Sequence, residues 1–196
     1  PGAGKTEFSK NLISLLGGNK ERGVVRIAPD EIRPRIPGYR GSNSHLFQGA
    51  VALIVEKVHD FVLHKSQTFV FDSTLARYEK AVDNIRRSLE KNRPIFIFYV
   101  YQKPEIAWKF TQAREKTEGR NIPKSAFIDE FFGAKDVVDR ILKEYDKKVV
   151  VFLVKKDFEK NSVENIVQIA RDGMSIDDYL QDSYTVYSKE SLEKLL

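Results

Sequence analysis

The chain has 196 residues, of which 41% are hydrophobic and 31% are charged, as in a globular domain large enough to bury a core. It contains no cysteine, which excludes disulfides, thiolate metal sites and cysteine nucleophiles and is consistent with a cytoplasmic location. Its formal net charge of +5 mildly favours anionic partners, either nucleic acid or phosphorylated small molecules. No apolar run approaches the roughly 18 residues of a membrane-spanning helix, so no membrane partner is expected.

Helical and strand patterns alternate along the chain. The continuous apolar run IFIFYVY is typical of a strand that is buried on both faces. Alternation of this kind predicts an α/β fold with a mostly parallel sheet flanked by helices. The predicted strands cover 24–28, 68–72, 95–101 and 149–154, and the predicted helices cover 4–16, 43–65, 75–91, 104–117, 124–132 and 135–146.

The helix predicted at 43–65 carries an apolar stripe that includes Val51, Ile54 and Phe61. His59 falls outside this stripe and is predicted to lie on the surface. After residue 155 the pattern weakens, and only SIDDYL and SKESLEKLL have the spacing of short helices. We therefore expect one domain over 1–155 and a C-terminal appendage over 156–196 that packs on it.

The stretch PGAGKT matches the end of the phosphate-loop pattern G-x-x-x-x-G-K-[ST]. Lys5 is then the residue that reaches the β- and γ-phosphates of ATP, and the Thr6 hydroxyl is a ligand of Mg²⁺. The pattern predicts a three-layer P-loop NTPase fold of nucleotide-kinase type, whose first strand and first glycine lie upstream of Pro1. The alternative is an ordinary helix N-terminus with a surface lysine. The other residues expected to hold the phosphates through their backbone are Gly2, Ala3 and Gly4.

Two acidic residues follow predicted strands, at the sheet edge where ligands bind in open α/β folds. Asp72 ends the strand TFVF, the position of an acid that holds or orients Mg²⁺. Asp30 follows the preceding strand, where a carboxylate can accept the proton of an acceptor hydroxyl. Each acid also has a structural alternative, because Asp30 and Asp72 could instead cap the helices that follow them.

Two arginines bracket a glycine-containing turn in AREKTEGRNIP. Arg114 lies late in the helix predicted at 104–117, and Arg120 lies in the loop after it. Guanidinium groups on a flexible turn suit a lid, near 114–123, that neutralises the γ-phosphate and excludes water. A solvated helix end, where arginine is favoured by the helix dipole, is an equally good explanation from position alone.

The order of these motifs resembles that of the zeta-toxin family of P-loop kinases over about residues 1–155. The segments that carry the resemblance are PGAGKT, APDEIRPRIPGY, VFDSTLAR and AREKTEGRNIPKSAFIDEFF. Well-studied members of that family use ATP and Mg²⁺ to phosphorylate the 3′-hydroxyl of the sugar in UDP-N-acetylglucosamine, and a small antitoxin holds them inactive. The resemblance therefore implies a nucleotide-sugar or similar small-molecule acceptor and a possible antitoxin partner.

The resemblance also implies roles for individual residues. Lys5, Asp30, Asp72, Arg114 and Arg120 are expected to be catalytic, with Asp30 at the acceptor hydroxyl and the two arginines in the lid. One difference from the family lies at the end of the strand before Thr74. Where the toxins commonly have Glu-Gly-Thr, this chain has Asp-Ser-Thr, which leaves the identity of the acceptor open. The residues expected to bind the acceptor are Asp30, Arg33, Tyr39 and Thr74.

Three functions remain open from the sequence. The first is an ATP-dependent kinase for a sugar hydroxyl, acting as the toxin of a toxin–antitoxin system. The second is a polynucleotide 5′-hydroxyl kinase, which the positive charge favours slightly although no track of aromatic and basic residues is present. The basic run at 85–93 is better explained as a solvated helix face, so nucleic acid is not the expected partner. The third is a nucleotide-binding module without turnover.

Overall fold

The computed structural model describes residues 2–17, 23–145, 147–157, 162–170, 175–180 and 187–196. Two residues of the predicted segments lie outside these ranges. They are Pro1, where the predicted domain over 1–155 begins, and Asp146, where the helix predicted at 135–146 ends. The fold is α/β with parallel strands flanked by helices, as predicted. The chain divides into two compact units, of which the smaller contains Lys5–Ser73 and Gln112–Asn121. The larger contains Pro1–Gly4, Thr74–Thr111 and Ile122–Leu196.

The smaller unit is built on two parallel strands, in which Val25 lies opposite Phe69. Its apolar core lies between these strands and the longest helix of the unit, and includes Ile27 and Val55. Short 3₁₀ turns at Arg33–Arg35 and Ser44–Phe47 connect the helices. The elements in chain order are α1 (Lys5–Leu15), β1 (Val25–Ile27), α2 (Pro29–Ile32), α3 (Gln48–His64) and β2 (Phe69–Phe71).

Helix α3 buries only part of the predicted apolar stripe, and its buried face also includes His59. Val51 is buried as expected, but Ile54 and Phe61 are exposed. His59 is buried with 1% of its surface exposed, and its ring lies edge-on to that of Phe69 at 5.2 Å. The prediction of a surface histidine was therefore wrong. An imidazole is flat enough to pack between aromatic rings, so its polarity alone did not decide its position.

The larger unit contains a three-stranded sheet whose middle strand pairs in parallel with one neighbour and antiparallel with the other. One face of this sheet packs against helices in a core that includes Val138, Ile141 and Leu153. The elements are α4 (Tyr78–Leu89), β3 (Ile95–Tyr101), α5 (Pro104–Glu118, whose last part belongs to the smaller unit), α6 (Lys124–Glu144), β4 (Val149–Lys156), β5 (Val163–Gln168), α7 (Ile176–Leu180) and α8 (Lys189–Leu195). None of the helices among the described residues is long and apolar enough to cross a membrane.

Two features of the larger unit differ from the prediction. The segments predicted as two helices form the single helix α6, because Gly133 continues the helix instead of ending it. A Cβ at Gly133 would come within 3.1 Å of the carbonyl oxygen of Ala76, so the glycine serves close packing. Strand β5 was not predicted, since it is a mostly exposed edge strand with little apolar alternation.

The described residues after 155 pack in two places. Ile176 and Leu180 of α7 lie in the core against the sheet, and Leu192 of α8 is fully buried beside Phe127. These contacts tie the C-terminal elements to the larger unit. The domain boundary near residue 155 stays a prediction, as does a further strand upstream of Pro1.

Candidate active site

The phosphate-loop segment leads directly into α1, whose first residue is Lys5. Gly2 and Gly4 have positive φ angles of +68° and +77°. At Gly2 a Cβ would lie 1.9 Å from the carbonyl oxygen of Ala107 in α5, so only glycine fits there. Gly2 is thus required for packing against α5, in addition to its predicted role in holding phosphate through its backbone. The binding of phosphate by residues 2–6 stays a prediction.

Asp30 is the second residue of α2 and lies at the carboxyl end of β1, with 43% of its side chain exposed. The N-cap of this helix is Ala28, so the alternative in which Asp30 caps the helix is wrong. Three arginines converge on the carboxylate. Oδ1 accepts hydrogen bonds from Arg33 at 2.8 Å and Arg120 at 2.6 Å. The Arg114 guanidinium lies 3.9 Å from Oδ2.

This cluster brings together the predicted acceptor acid and both predicted lid arginines, and it sets the charge of Asp30. Burial by itself would raise the pKa of the Asp30 carboxyl. The positive charges of Arg120 and Arg33, followed by that of Arg114, outweigh burial and hold the pKa below its ordinary value. Asp30 is therefore ionised at neutral pH. Its role as the acid at the acceptor stays a prediction.

The turn that is predicted to form a lid lies close to residues 36–43, which we name the acceptor loop after their predicted role. Gly41 in this loop has φ +72°, and a Cβ there would lie 2.4 Å from the carbonyl oxygen of Glu118 at the end of α5. Glu118 also accepts two hydrogen bonds from Arg114, at 3.0 and 2.9 Å. The lid arginines are thus held near Asp30 by a backbone contact as well as by charge.

The remaining predicted acceptor residues have varied surroundings. Arg33 is buried against Asp30. Tyr39 lies in the acceptor loop, half-buried, with its ring edge-on to Phe47 at 5.7 Å. Thr74 is half-buried in the segment between β2 and α4 and belongs to the larger unit. A role for Tyr39 and Thr74 in binding the acceptor stays a prediction.

Asp72 lies directly after β2, and only 8% of its side chain is exposed. Helix α4 begins at Tyr78 with Arg77 as its N-cap, so Asp72 does not cap it. The Asp72 Oδ2 atom pairs with Arg26 and lies 3.1 Å from the Ser9 hydroxyl. That hydroxyl is also 2.9 Å from the carbonyl oxygen of Thr6. Ser9 therefore links the two residues predicted to bind magnesium.

Arg26 was missed in the sequence. Its Nε donates to the Ser9 hydroxyl at 2.8 Å, and its two terminal nitrogens pair with Glu31 and Asp72. The signal was present, because an arginine in the short apolar strand VVRIA has to find partners when it is buried. Glu31 and Ser9 carried no comparable signal, since both residue types are common on exposed helix faces.

The donor set at Asp72 is suited to Mg²⁺. This ion prefers oxygen ligands and is usually bound through one or two carboxylates or hydroxyls while phosphates and water complete its octahedron. In the described part of the chain both side-chain partners of Asp72 contact Oδ2, which leaves Oδ1 available as a ligand. The described residues contain no cluster of three acidic or histidine side chains that could hold a metal alone. A magnesium site that nucleotide phosphates complete does not require such a cluster.

The basic run in α4 is neutralised locally. Arg86 bonds to Asp83 at 2.7 Å and to Glu90 at 2.6 Å, and Arg87 lies 3.7 Å from Asp83. Both pairs of Arg86 are exposed and local to this helix and its C-cap, which is the pattern of a solvated helix face. They weaken the case for a nucleic-acid surface at this helix.

Comparison with known proteins agrees with this arrangement. The parallel strands, the flanking helices and the phosphate-loop segment before α1 define a kinase-like α/β protein. The sequence profile of the family described as Zeta toxin matches residues 1–172, so the chain belongs to the Zeta toxin family. No curated protein matches the chain by sequence.

Solved structures support the same fold. A chain from the PezAT chromosomal toxin–antitoxin system of Streptococcus pneumoniae is similar with a TM-score of 0.68 and 17% identity, covering 99% of this chain and 78% of that one. A chain from the complex AvrRxo1-ORF1:AvrRxo1-ORF2 with sulphate ions is similar with a TM-score of 0.66 and 16% identity, covering 99% of this chain and 67% of that one. At such low identity these likenesses establish the fold alone.

Proposed function

We propose that the protein is an ATP-dependent kinase that transfers the γ-phosphoryl group of Mg–ATP to a hydroxyl of a small molecule. The observation that carries the proposal is the cluster in which Asp30 faces Arg33, Arg114 and Arg120. An ionised carboxylate beside several guanidinium groups combines a proton acceptor with positive charge for a transferring phosphate. A kinase needs such a proton acceptor for the hydroxyl of its substrate in addition to the groups that bind the nucleotide.

In the proposed reaction the acceptor oxygen forms a bond to the γ-phosphorus, and the bond from that phosphorus to the β–γ bridging oxygen breaks. ADP leaves with the bridging oxygen, and the hydroxyl proton passes to the Asp30 carboxylate. Arg114 and Arg120 neutralise the oxygens of the transferred group, whose negative charge would otherwise repel Asp30. Docking of the lid on the acceptor loop excludes water, which would compete as acceptor.

The residues proposed to hold the nucleotide are those of the phosphate loop. Backbone groups of Gly2–Gly4 and the Lys5 ammonium would bind the phosphates. Thr6 and Asp72 would hold the magnesium ion, which neutralises phosphate charge when it is bound. Removing Lys5 is therefore expected to abolish both nucleotide binding and transfer.

The proposed acceptor is a nucleotide-sugar or a related metabolite, with UDP-N-acetylglucosamine as the first compound to examine. Membership of the Zeta toxin family supports this choice and supports an antitoxin protein as partner. The similar chain from Streptococcus pneumoniae belongs to a toxin–antitoxin system, which is in line with such a partner. A cytoplasmic location stays a prediction, consistent with the supply of ATP there.

The test is a screen for acceptors with ATP labelled at the γ-phosphate. The full chain is incubated with Mg²⁺ and labelled ATP together with UDP-N-acetylglucosamine, with a metabolite extract, with an oligonucleotide carrying a 5′-hydroxyl, or with water alone. Label in a small-molecule product, absent with Lys5→Ala, is the expected result. Label in the oligonucleotide would favour the polynucleotide kinase instead, and ATP binding without any transfer would favour the module without turnover.

A further inference from the structure

Arg26 occupies the middle of β1, between two residues that pack in the apolar core of the smaller unit. Only 10% of its side chain is exposed. The charge of a guanidinium at this depth has to be matched by fixed partners. The contacts of Arg26 are therefore a constant part of the fold, unlike those of an exposed arginine that exchanges between partners and water.

The guanidinium connects three elements of the smaller unit. Nε donates to Ser9 on α1 at 2.8 Å, one terminal nitrogen pairs with Asp72 after β2, and the other pairs with Glu31 on α2. This division of three partners among three nitrogens uses the planar fork of arginine, and a lysine ammonium cannot reproduce it. Arg26 contacts Asp72 directly, and it contacts Glu31, the residue that follows Asp30 in α2. Arg26 therefore connects Asp72 to the helix that carries Asp30.

The Asp72 carboxylate is held on one side only. Its two partners, Arg26 and Ser9, both contact Oδ2, and this fixes the plane of the carboxylate while Oδ1 remains available among the described residues. We propose that Arg26 is a positioning residue that grips Asp72 by Oδ2 and presents Oδ1 to magnesium or to a magnesium-bound water. The role rests on the proposed function, since it needs Mg–ATP at this site.

A purely structural ion pair is the competing explanation, and the chemistry of lysine separates the two. Arg26→Lys keeps the positive charge next to Asp72 but loses the fork, so Asp72 is still neutralised and is no longer oriented. Ser9→Ala removes one of the two contacts to Oδ2 together with the acceptor of the Arg26 Nε group, and it changes no charge. Arg86→Lys is the matched control, because Arg86 also pairs with two carboxylates but its side chain is exposed on the surface of α4.

The experiment measures how much Mg²⁺ strengthens ATP binding. Calorimetric titration of the full chain with ATP gives one dissociation constant in EDTA and one in Mg²⁺. The EDTA value divided by the Mg²⁺ value is the ratio that is compared among variants whose thermal unfolding shows that they are folded. Arg26→Lys should lower this ratio about 10-fold, the usual effect of losing a residue that orients a metal ligand. Ser9→Ala should lower it less, and Arg86→Lys should leave it unchanged.

The outcomes distinguish this role from the proposed function. A ratio within about twofold of the original in folded Arg26→Lys would overturn the positioning role while leaving the kinase proposal intact. If Arg26→Lys does not fold, an unchanged ratio in Ser9→Ala overturns the role instead. Failure of the original protein to bind ATP in Mg²⁺ would overturn both. Combining Arg26→Lys with Asp72→Asn should add nothing to Asp72→Asn alone, because Arg26 acts through Asp72.

Discussion

Asp30 and Asp72 follow two neighbouring parallel strands, yet the surroundings of the two carboxylates are opposite. Asp30 is 43% exposed and faces arginines that belong partly to the lid turn, whereas Asp72 is 8% exposed and is gripped by Arg26 and Ser9. Exposed ion pairs exchange easily, and a buried pair is costly to break. The difference suits Asp30 for events that change during turnover and Asp72 for an interaction that stays constant.

The largest expected effect is on catalysis at Asp30. Asp30→Asn keeps the shape of the side chain but removes the proton acceptor, so transfer should fall by about 10²–10⁴-fold. The affinity for Mg–ATP, measured by calorimetry, should stay the same. In Asp72→Asn, by contrast, the affinity for ATP should change, because it should depend less strongly on Mg²⁺. Normal transfer by Asp30→Asn would remove the proposed division of roles.

The second effect is on stability and should be confined to the Asp72 side. Arg26→Gln leaves a buried carboxylate without its cation and should lower the free energy of unfolding by about 3–5 kcal/mol. Arg120→Gln should cost only about 0–1 kcal/mol, because Asp30 is half-exposed and keeps Arg33. Urea unfolding followed by circular dichroism measures both. An equal decrease in the free energy of unfolding of the two variants would mean that the burial of Asp72 does not make its ion pair more important for stability than that of Asp30.

The third effect acts on the lid side alone. Gly41→Ala places a methyl group against the backbone of Glu118, whereas Gly38→Ala, which also has positive φ at +86°, meets only the Phe47 ring at 3.8 Å. Both variants carry left-handed strain of about 1–2 kcal/mol, and only the first should also displace the lid, at about 1–3 kcal/mol more. Transfer should therefore fall further in Gly41→Ala at unchanged Mg–ATP affinity. Identical behaviour of the pair would argue against a docked lid.

The smallest effect is a change in the titration of Asp30. In the folded state the arginines lower the pKa of Asp30 below its ordinary 3.8, so its ionised form stabilises the protein above that pH and the contribution is lost as the pH falls through the lower folded value. Arg120→Ala should raise the pKa of Asp30 toward 3.8 and move this loss to higher pH. Carbon-13 NMR of the Asp30 carboxyl measures the pKa directly. Arg86→Ala, in which no arginine near Asp30 changes, should leave it unaltered.

The sequence was sufficient to predict much of this arrangement and not all of it. The α/β fold and the segments of α3, α4, β3 and β4 followed from apolar spacing, and the family resemblance assigned Asp30, Arg114 and Arg120 to one candidate site, although their direct contacts were not predicted. Both acids were also expected at strand ends, where the structure has them. The predicted catalytic and binding roles of these residues remain to be tested by experiment.

What the sequence did not reveal depends on three-dimensional packing. The limits of the buried face of α3 could not be predicted correctly because the helix is apolar on more than one side, so His59 was assigned to the surface. Strand β5 is held mainly by backbone pairing to β4, which leaves little trace in side-chain pattern. The network at Arg26 joins Ser9, Glu31 and Asp72 across three elements, and no local spacing encodes such a meeting.

The packing of α8 has a practical consequence for work on this protein. Leu192 of α8 shares an apolar cluster with Ala107, and the carbonyl oxygen of Ala107 is the atom that forbids a side chain at Gly2. Helix α8 itself starts at a capping box formed by Ser188 and Ser191. A substitution that disturbs α8, such as Leu192→Ala, would therefore loosen the packing behind Gly2. Variants that are meant to spare the candidate site should leave Leu192 and the cap unchanged.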